Sequence, residues 1–191
     1  MTTRSATIER VCAAITRGRQ PQAAALLTAE YPFVATTKAA RRYSELEMQR
    51  VFLRDGFLDR YCGARLVFPG TLRLLSQLLP VEFPAHKNWK MSESHPAFWE
   101  LFPTIDHVVP VARGGLDDAS NWVTTSMLRN SAKAHWTLEE LGWRLHAPAP
   151  SEQWDGLTGW FLERTETHPE LLASPYLRRW RGAALRARNV V

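Results

Sequence analysis

Cysteine, lysine and long apolar segments are all scarce in this chain of 191 residues. Its two cysteines, Cys12 and Cys62, are too few for a disulfide framework or for a zinc site built from four thiolates. This usage fits a reducing compartment, while the sequence alone leaves a single Cys12–Cys62 bridge open. No apolar segment approaches the length of a membrane span, and the first 20 residues lack the apolar core of a secretory signal. We therefore expect a soluble cytoplasmic protein with no membrane partner.

The shortage of lysine leaves arginine as the main basic residue. The formal net charge is +5 and the isoelectric point is near 9.6. Arginine forms bidentate contacts with phosphates, so this balance favours a nucleic-acid partner. An arginine-rich composition also arises from GC-rich codons, so charge alone favours that partner only weakly.

The order of predicted elements indicates three regions. Residues 1–50 form an N-terminal helical region, residues 51–146 hold the chemically informative motif, and residues 151–191 form an arginine-rich helical region. Helices are predicted at 5–18, 20–33, 44–57, 71–80, 137–143, 152–168 and 174–188.

Shorter signals complete this outline. Ser44 with Glu47, and Thr137 with Glu140, have the spacing of capping boxes. Residues 55–70 are predicted as a hairpin, and 147–151 as a linker. Residues 81–103, rich in proline and tryptophan, are interpreted as an insertion that its aromatic side chains hold in place.

The stretch TIDHVVPVARGGLDDASNWVTTSMLRNSAKAHW, residues 104–136, combines strand, turn and helix signals with polar side chains. A β-branched strand at 104–112 is followed by an Arg-Gly-Gly turn, a strand at 121–126 and a helical segment at 127–136. The predicted order is strand, strand, helix. The expected fold class is therefore α+β, with a ββα unit embedded in a mainly helical single domain.

These polar residues suit the hydrolysis of a phosphodiester, which needs a base to activate water and a cation to stabilise negative charge. If the helix packs across the strands, Asn130 can meet Asp106 at one cation. A carboxylate and an amide oxygen, with water in the other positions, suit Mg²⁺ or Mn²⁺. His107 would face the water, and Lys133, one helical turn after Asn130, would hold a phosphate oxygen. Asn121 would bond the backbone of the long turn.

The pattern resembles the HNH endonucleases, the ββα-metal nucleases. Their motif is Asp-His, a proline three residues later, Gly-Gly, a middle asparagine and then Asn-x-x-Lys on a helix. The matching residues in this chain are Asp106-His107, Pro110, Gly114-Gly115, Asn121 and Asn130-Ser131-Ala132-Lys133. The resemblance covers about 30 residues, and both residue types and spacing agree.

The resemblance implies a role for each residue. His107 would be the general base, Asp106 and Asn130 would bind one divalent metal ion, and Asn121 would orient the loop and His107. Lys133 would support catalysis as a phosphate contact. Cleavage would leave a 5′-phosphate and a 3′-hydroxyl.

Further basic residues near the motif are candidate nucleic-acid contacts. They are Arg113, Arg129, Lys133 and His135. Arg113 is equally interpretable as a solvated turn residue, and His135 as a structural one.

Many HNH relatives also carry two cysteine pairs that bind a structural zinc ion. In this chain the four positions hold Asp59, Cys62, Ser126 and Arg129. One thiol cannot complete such a site, so no structural zinc is expected and packing must brace the motif instead.

The sequence thus predicts a divalent-metal-dependent HNH endonuclease acting on DNA, with double-stranded DNA as the favoured partner. A non-catalytic nucleic-acid-binding protein on the same scaffold is the alternative. The recognition sequence, the oligomeric state and the biological pathway are left open.

Overall fold

A computed structural model describes residues 3–33, 43–150 and 153–188. The chain divides into two compact units, Met1–Ala39 and Ala40–Val191. Within the described ranges, no helix is both long enough and apolar enough to cross a membrane.

The first unit is a helical pair, α1 (Arg4–Thr16) and α2 (Gln20–Glu30). The helices meet through small and β-branched side chains, Val11, Ala14 and Ala23. Helix α1 begins one residue before the predicted position, because the Thr3 side chain accepts a hydrogen bond from the Ala6 amide and caps the helix.

The second unit contains the remaining elements. Its strands are β1 (Pro103–His107) and β2 (Trp122–Ser126). Its helices are α3 (Glu45–Arg54), α4 (Pro69–Leu78), α5 (Ala97–Glu100), α6 (Met127–Lys133), α7 (Leu138–Leu141), α8 (Thr158–Thr167) and α9 (Pro175–Arg188). Short 3₁₀ turns occur at Met91–Glu93, Val111–Arg113 and Pro169–Ala173.

Local signals explain where several of these helices begin. Both predicted capping boxes are present, Ser44 with Glu47 at α3 and Thr137 with Glu140 at α7. Past its cap, α3 is amphipathic and buries Val51 and Phe52 in the main core. The core packs these residues with aromatic and aliphatic side chains from the 55–68 segment, α4, α8, α9 and the sheet. They include Phe57, Phe68, Leu74, Ile105, Phe161, Leu177 and Trp180.

The hairpin predicted at 55–70 is present only as a single antiparallel bridge, Leu58 to Arg65, rather than as two strands. The Asp59 amide donates to the Ala64 carbonyl at 2.8 Å and the Leu66 amide to the Phe57 carbonyl at 2.7 Å. Other polar groups of the segment bond to the sheet. The buried carboxylate of Asp55 accepts the Thr124 amide at 2.7 Å, and the Arg60 amide donates to the Thr124 carbonyl at 2.9 Å.

The two strands form an antiparallel sheet whose register pairs Pro103 with Ser126 and His107 with Trp122. Helix α6 follows β2 directly, capped by the Ser126 hydroxyl. Strand β1 is shorter than predicted because Pro110 introduces a 3₁₀ turn after it. The chain is therefore a mixed α+β protein whose strands and α6 follow the predicted order.

Aromatic contacts hold the insertion at 81–103, as predicted. The Trp89 ring packs edge-on against Phe102, with centroids 4.8 Å apart, and also against Phe98 and Trp99. The predicted linker has no regular structure at residues 147–150, and Ser151 lies outside the described residues.

Candidate active site

The loop between the strands is closed by Asn121. Its side-chain oxygen accepts the Val109 amide at 2.9 Å, and its side-chain nitrogen donates to the carbonyls of Val109 and Leu116, each at 2.8 Å. These are the backbone contacts expected from the sequence. One buried side chain thus joins both ends of the loop and fixes the position where β1 ends.

The loop that Asn121 closes also requires the Gly114-Gly115 pair. Gly114 has a φ of +87°, a conformation that favours glycine. A Cβ atom on Gly115 would lie 1.9 Å from the Val109 carbonyl oxygen, too close for any side chain. The turn therefore depends on glycine for two separate steric reasons.

Asp106 is almost entirely buried at the end of β1. Its Oδ2 atom accepts the Tyr61 hydroxyl at 2.7 Å and lies 3.0 Å from the Lys133 ammonium. Burial, together with the negative charge of Asp106, raises the pKa of Tyr61, which therefore remains a hydrogen-bond donor. No described residue donates a hydrogen bond to Oδ1, so one oxygen is held and the other is available.

Lys133 differs from the sequence expectation. Its side chain is 0% exposed, and its ammonium donates to the His107 carbonyl at 2.7 Å as well as pairing with Asp106. An ammonium held in this way lies where a phosphate cannot reach it. The structure therefore corrects the predicted phosphate contact: Lys133 joins α6 to the end of β1.

Asn130, one helical turn before Lys133 on α6, also bonds to β1. Its side-chain nitrogen donates to the Thr104 hydroxyl at 2.9 Å and to the Ile105 carbonyl at 3.1 Å. These bonds place the amide beside the residue that precedes Asp106. Its side-chain oxygen accepts no hydrogen bond from a described residue.

The donor set fits a weakly held Mg²⁺ or Mn²⁺ ion. Asp106 and Asn130 each offer one oxygen, and such ions commonly take one or two protein carboxylates and complete their shell with water and phosphate oxygens. The described residues contain no cluster of three or more histidine, cysteine or acidic side chains suited to a metal. A site with two protein ligands would bind the ion mainly together with a phosphate.

His107 lies at the end of β1 and is 3% exposed. Its Nε2 atom is 2.7 Å from Oδ1 of Asp117, and the Trp122 indole nitrogen and the Tyr43 hydroxyl lie at 3.1 and 3.5 Å. The ring is thus fixed along one edge by residues of the loop, of β2 and of the segment before α3. No described residue forms a hydrogen bond with Nδ1.

The predicted nucleic-acid contacts lie in three different settings. Arg113 is exposed and lies 3.4 Å from Glu140. His135 is exposed and stacks on Trp136. Arg129 lies over the Trp143 ring, with its Nε atom 3.8 Å from Asp59. Arg113 and Arg129 thus contact residues only three positions apart, Glu140 and Trp143, and the nucleic-acid contacts stay a prediction.

Asp59 is the centre of a hydrogen-bonded cluster that includes Cys62 and Ser126, two of the four positions that the resemblance to HNH nucleases aligns with zinc-binding cysteines. The carboxylate is buried and accepts the Ser126 amide at 2.9 Å and the Thr125 hydroxyl at 3.1 Å. The Asp59 carbonyl accepts the Cys62 amide at 3.2 Å. A buried anion therefore links the 55–70 segment to the start of α6.

Sequence reasoning missed four residues that hold the site, Tyr43, Asp55, Tyr61 and Asp117. Tyr43, Asp55 and Tyr61 lie outside the 104–136 stretch, and their spacing carries no signal because each meets its partner through tertiary contacts. Only the position of Asp117, between the Gly-Gly turn and Asn121, could have suggested that it lies near His107.

Comparisons with protein-family models, with curated proteins and with solved structures find no match to this chain. What the site does is therefore inferred from its residues and contacts. Strand β1 ends with the buried Asp106 carboxylate and His107, and the α6 residue Asn130 bonds to the same strand at Thr104 and Ile105.

Proposed function

We propose that this chain is a divalent-metal-dependent endonuclease of the HNH type that hydrolyses phosphodiester bonds in DNA. One observation carries the proposal. Asp106 and His107 are adjacent at the end of β1, and Asn130 of α6 bonds to Thr104 and Ile105 of the same strand. Asn121 closes the loop that follows His107. The residue types and the order of elements are those that the resemblance to HNH nucleases implies.

Asp106 and Asn130 would hold the metal ion through their available oxygens. A bound Mg²⁺ or Mn²⁺ ion would supply positive charge to the phosphate and to the leaving oxygen. Tyr61 and Lys133 keep Oδ2 of Asp106 occupied, so the carboxylate presents Oδ1 in a fixed orientation. Their contribution is to position the ligand rather than to contact the substrate.

His107 would take a proton from the attacking water. The ring is held on its Nε2 side, which leaves Nδ1 as the basic atom. Asn121 supports this geometry because it fixes the loop that begins two residues after His107. Cleavage would leave a 5′-phosphate and a 3′-hydroxyl, as the resemblance implies.

DNA is the proposed substrate because the chain is basic and rich in arginine. The net charge is +5. A surplus of this sign strengthens association with a polyanion and makes binding sensitive to salt.

The test is incubation of the purified protein with supercoiled plasmid. Cleavage should require Mg²⁺ or Mn²⁺ and should stop in EDTA. DNA ligase should reseal the nicks, since it requires a 5′-phosphate beside a 3′-hydroxyl. Asp106→Asn should lose cleavage, and its folding must be checked by circular dichroism because the change leaves the buried Lys133 ammonium without its carboxylate. Cleavage that persists in EDTA would contradict the proposal.

The burial of the site favours a second candidate, a nucleic-acid-binding protein that keeps the scaffold without turnover. His107 is 3% exposed, and the Lys133 ammonium already neutralises Asp106. DNA retardation in EDTA, together with no cleavage in any divalent metal, would support this second function over the first.

A further inference from the structure

Asp117 lies at the centre of a small polar cluster beside the catalytic candidate. Its Oδ1 atom is 2.7 Å from Nε2 of His107, 3.1 Å from the Trp122 indole nitrogen and 3.2 Å from the Tyr43 hydroxyl. The Tyr43 and Trp122 rings also pack edge to face, with centroids 5.0 Å apart. Three donors from separate segments therefore converge on one carboxylate oxygen.

The donors in this cluster determine which nitrogen of His107 carries the proton. The Trp122 indole can only donate, and the carboxylate can only accept. The shortest contact is the one between Nε2 and Asp117, which requires a proton on Nε2. The Trp122 indole nitrogen lies 3.1 Å from both His107 Nε2 and Asp117 Oδ1. Because Nε2 carries a proton, the indole N–H donates to Asp117. The lone pair of the neutral imidazole is therefore on Nδ1.

The loop geometry fixes Asp117 in this position. Asn121 donates to the carbonyl of Leu116, the residue that directly precedes Asp117. The adjacent Asp118 faces a different partner, because its carboxylate accepts the Ser120 amide at 2.9 Å and the Ser120 hydroxyl. Two neighbouring acidic residues thus have distinct roles in one loop.

We propose that Asp117 is a positioning residue for His107, which it holds with Nε2 protonated and Nδ1 ready to accept a proton. This inference rests on the proposed nuclease function. In the step, a water O–H bond breaks, its proton forms an N–H bond at Nδ1, and the oxygen attacks phosphorus. The bond from phosphorus to the 3′-oxygen breaks, and the leaving 3′-oxygen takes a proton from solvent. The Asp117 carboxylate stays ionised and stabilises the imidazolium that forms.

The electrostatics of Asp117 are consistent with this role. The hydrogen bond from His107, and the further bonds from Trp122 and Tyr43, hold the pKa of Asp117 below its ordinary value, while partial burial opposes them. The carboxylate is therefore ionised at neutral pH. Its side chain is 45% exposed whereas that of His107 is 4% exposed, so the anion lies on the outer side of a buried ring.

The test combines nitrogen NMR of the His107 ring with single-turnover kinetics. At a pH above the ordinary histidine range, the wild-type ring should show the Nε2–H tautomer. Asp117→Ala should shift the ring toward a mixture of tautomers and lower kcat about 10- to 100-fold with little change in KM. Asp117→Glu should recover part of the loss because it restores a carboxylate.

Asp118→Ala is the matched control, since it makes the same truncation one residue along the loop. It should leave the His107 signals and kcat close to wild type. A wild-type ring protonated on Nδ1, or ring signals that do not change in Asp117→Ala, overturns the proposal whatever the activity. Absence of cleavage in every metal, together with the expected tautomer change, upholds the positioning contact and refutes the nuclease function instead.

Discussion

The Lys133 ammonium lies 3.0 Å from Oδ2 of Asp106, and neither group is open to solvent beyond a small fraction. The pair joins α6 to the end of β1, where the candidate metal ligands are. Removing one partner would leave a buried charge without compensation. We therefore expect Lys133→Met to lower the free energy of unfolding by about 3 kcal/mol in denaturant titrations.

The same variant tests whether Asp106 can hold a divalent ion. Without Lys133, the Asp106 carboxylate lacks its internal cation, so Mn²⁺ should stabilise Lys133→Met more than the wild type. Lys90→Met is the control, because Lys90 pairs with Glu93 on the surface and should contribute less than about 1 kcal/mol. If Mn²⁺ stabilises Lys133→Met no more than the wild type, Asp106 is not a ligand of the ion.

Asn121→Ala should open the loop between the strands. The substitution removes three hydrogen bonds, which together contribute roughly 3 kcal/mol. Amide exchange at Val109 should accelerate, because its N–H loses its acceptor. The exposed Asn88 offers a matched Asn→Ala change, which should leave exchange at Val109 unaltered. Unchanged exchange in Asn121→Ala would show that the loop is held by other contacts.

The cluster around Asp59 allows a test of the resemblance itself. Asp59→Cys, Ser126→Cys and Arg129→Cys, combined with the native Cys62, place thiols at all four positions of the family's zinc site. The Asp59 carboxylate and the Ser126 amide already meet at 2.9 Å. The triple variant should therefore bind one zinc ion per chain, measured by metal analysis after dialysis.

The control for this experiment carries the same three substitutions together with Cys62→Ser. With three thiols it should lose most of the zinc during dialysis. If the four-thiol variant retains no more zinc than this control, the correspondence of the four positions with the family's cysteines is wrong.

Gln49 on α3 provides a prediction about stability alone. The side chain is 0% exposed, and neither its oxygen nor its nitrogen has a hydrogen-bond partner in the described part of the chain. An unpaired buried amide is destabilising, so Gln49→Leu should raise the free energy of unfolding by about 1–2 kcal/mol. Gln77→Leu, on the exposed face of α4, should show no such gain. Destabilisation by Gln49→Leu would indicate that the amide has a role in the native state.

The sequence was most informative where a signal is local. The capping boxes at Ser44 and Thr137 depend on residues three positions apart, and both are present. The Gly-Gly turn and the Asn121 contacts also lie within one short loop, which made their geometry predictable. The order of β1, β2 and α6 followed from composition and periodicity over 30 residues.

Predictions failed where distant residues compete for the same groups. The 55–70 segment was predicted as a hairpin with two strands, but it forms only one antiparallel bridge, and Asp55 and Arg60 bond to β2. Lys133 was expected at a phosphate, but Asp106 and the His107 carbonyl take its ammonium. Asp117 carries no motif, and its contact with His107 depends on how the loop folds back. Local spacing does not determine such tertiary pairings.

Single-turnover cleavage of a DNA duplex by wild type and His107→Ala, both confirmed as folded, tests the central claim most directly. We expect the wild type to cleave in Mn²⁺ and the variant to be at least about 100-fold slower, because it lacks the general base. His168→Ala, which removes a half-exposed histidine directly after α8, should cleave like the wild type. Equal cleavage rates in His107→Ala and wild type would contradict the account.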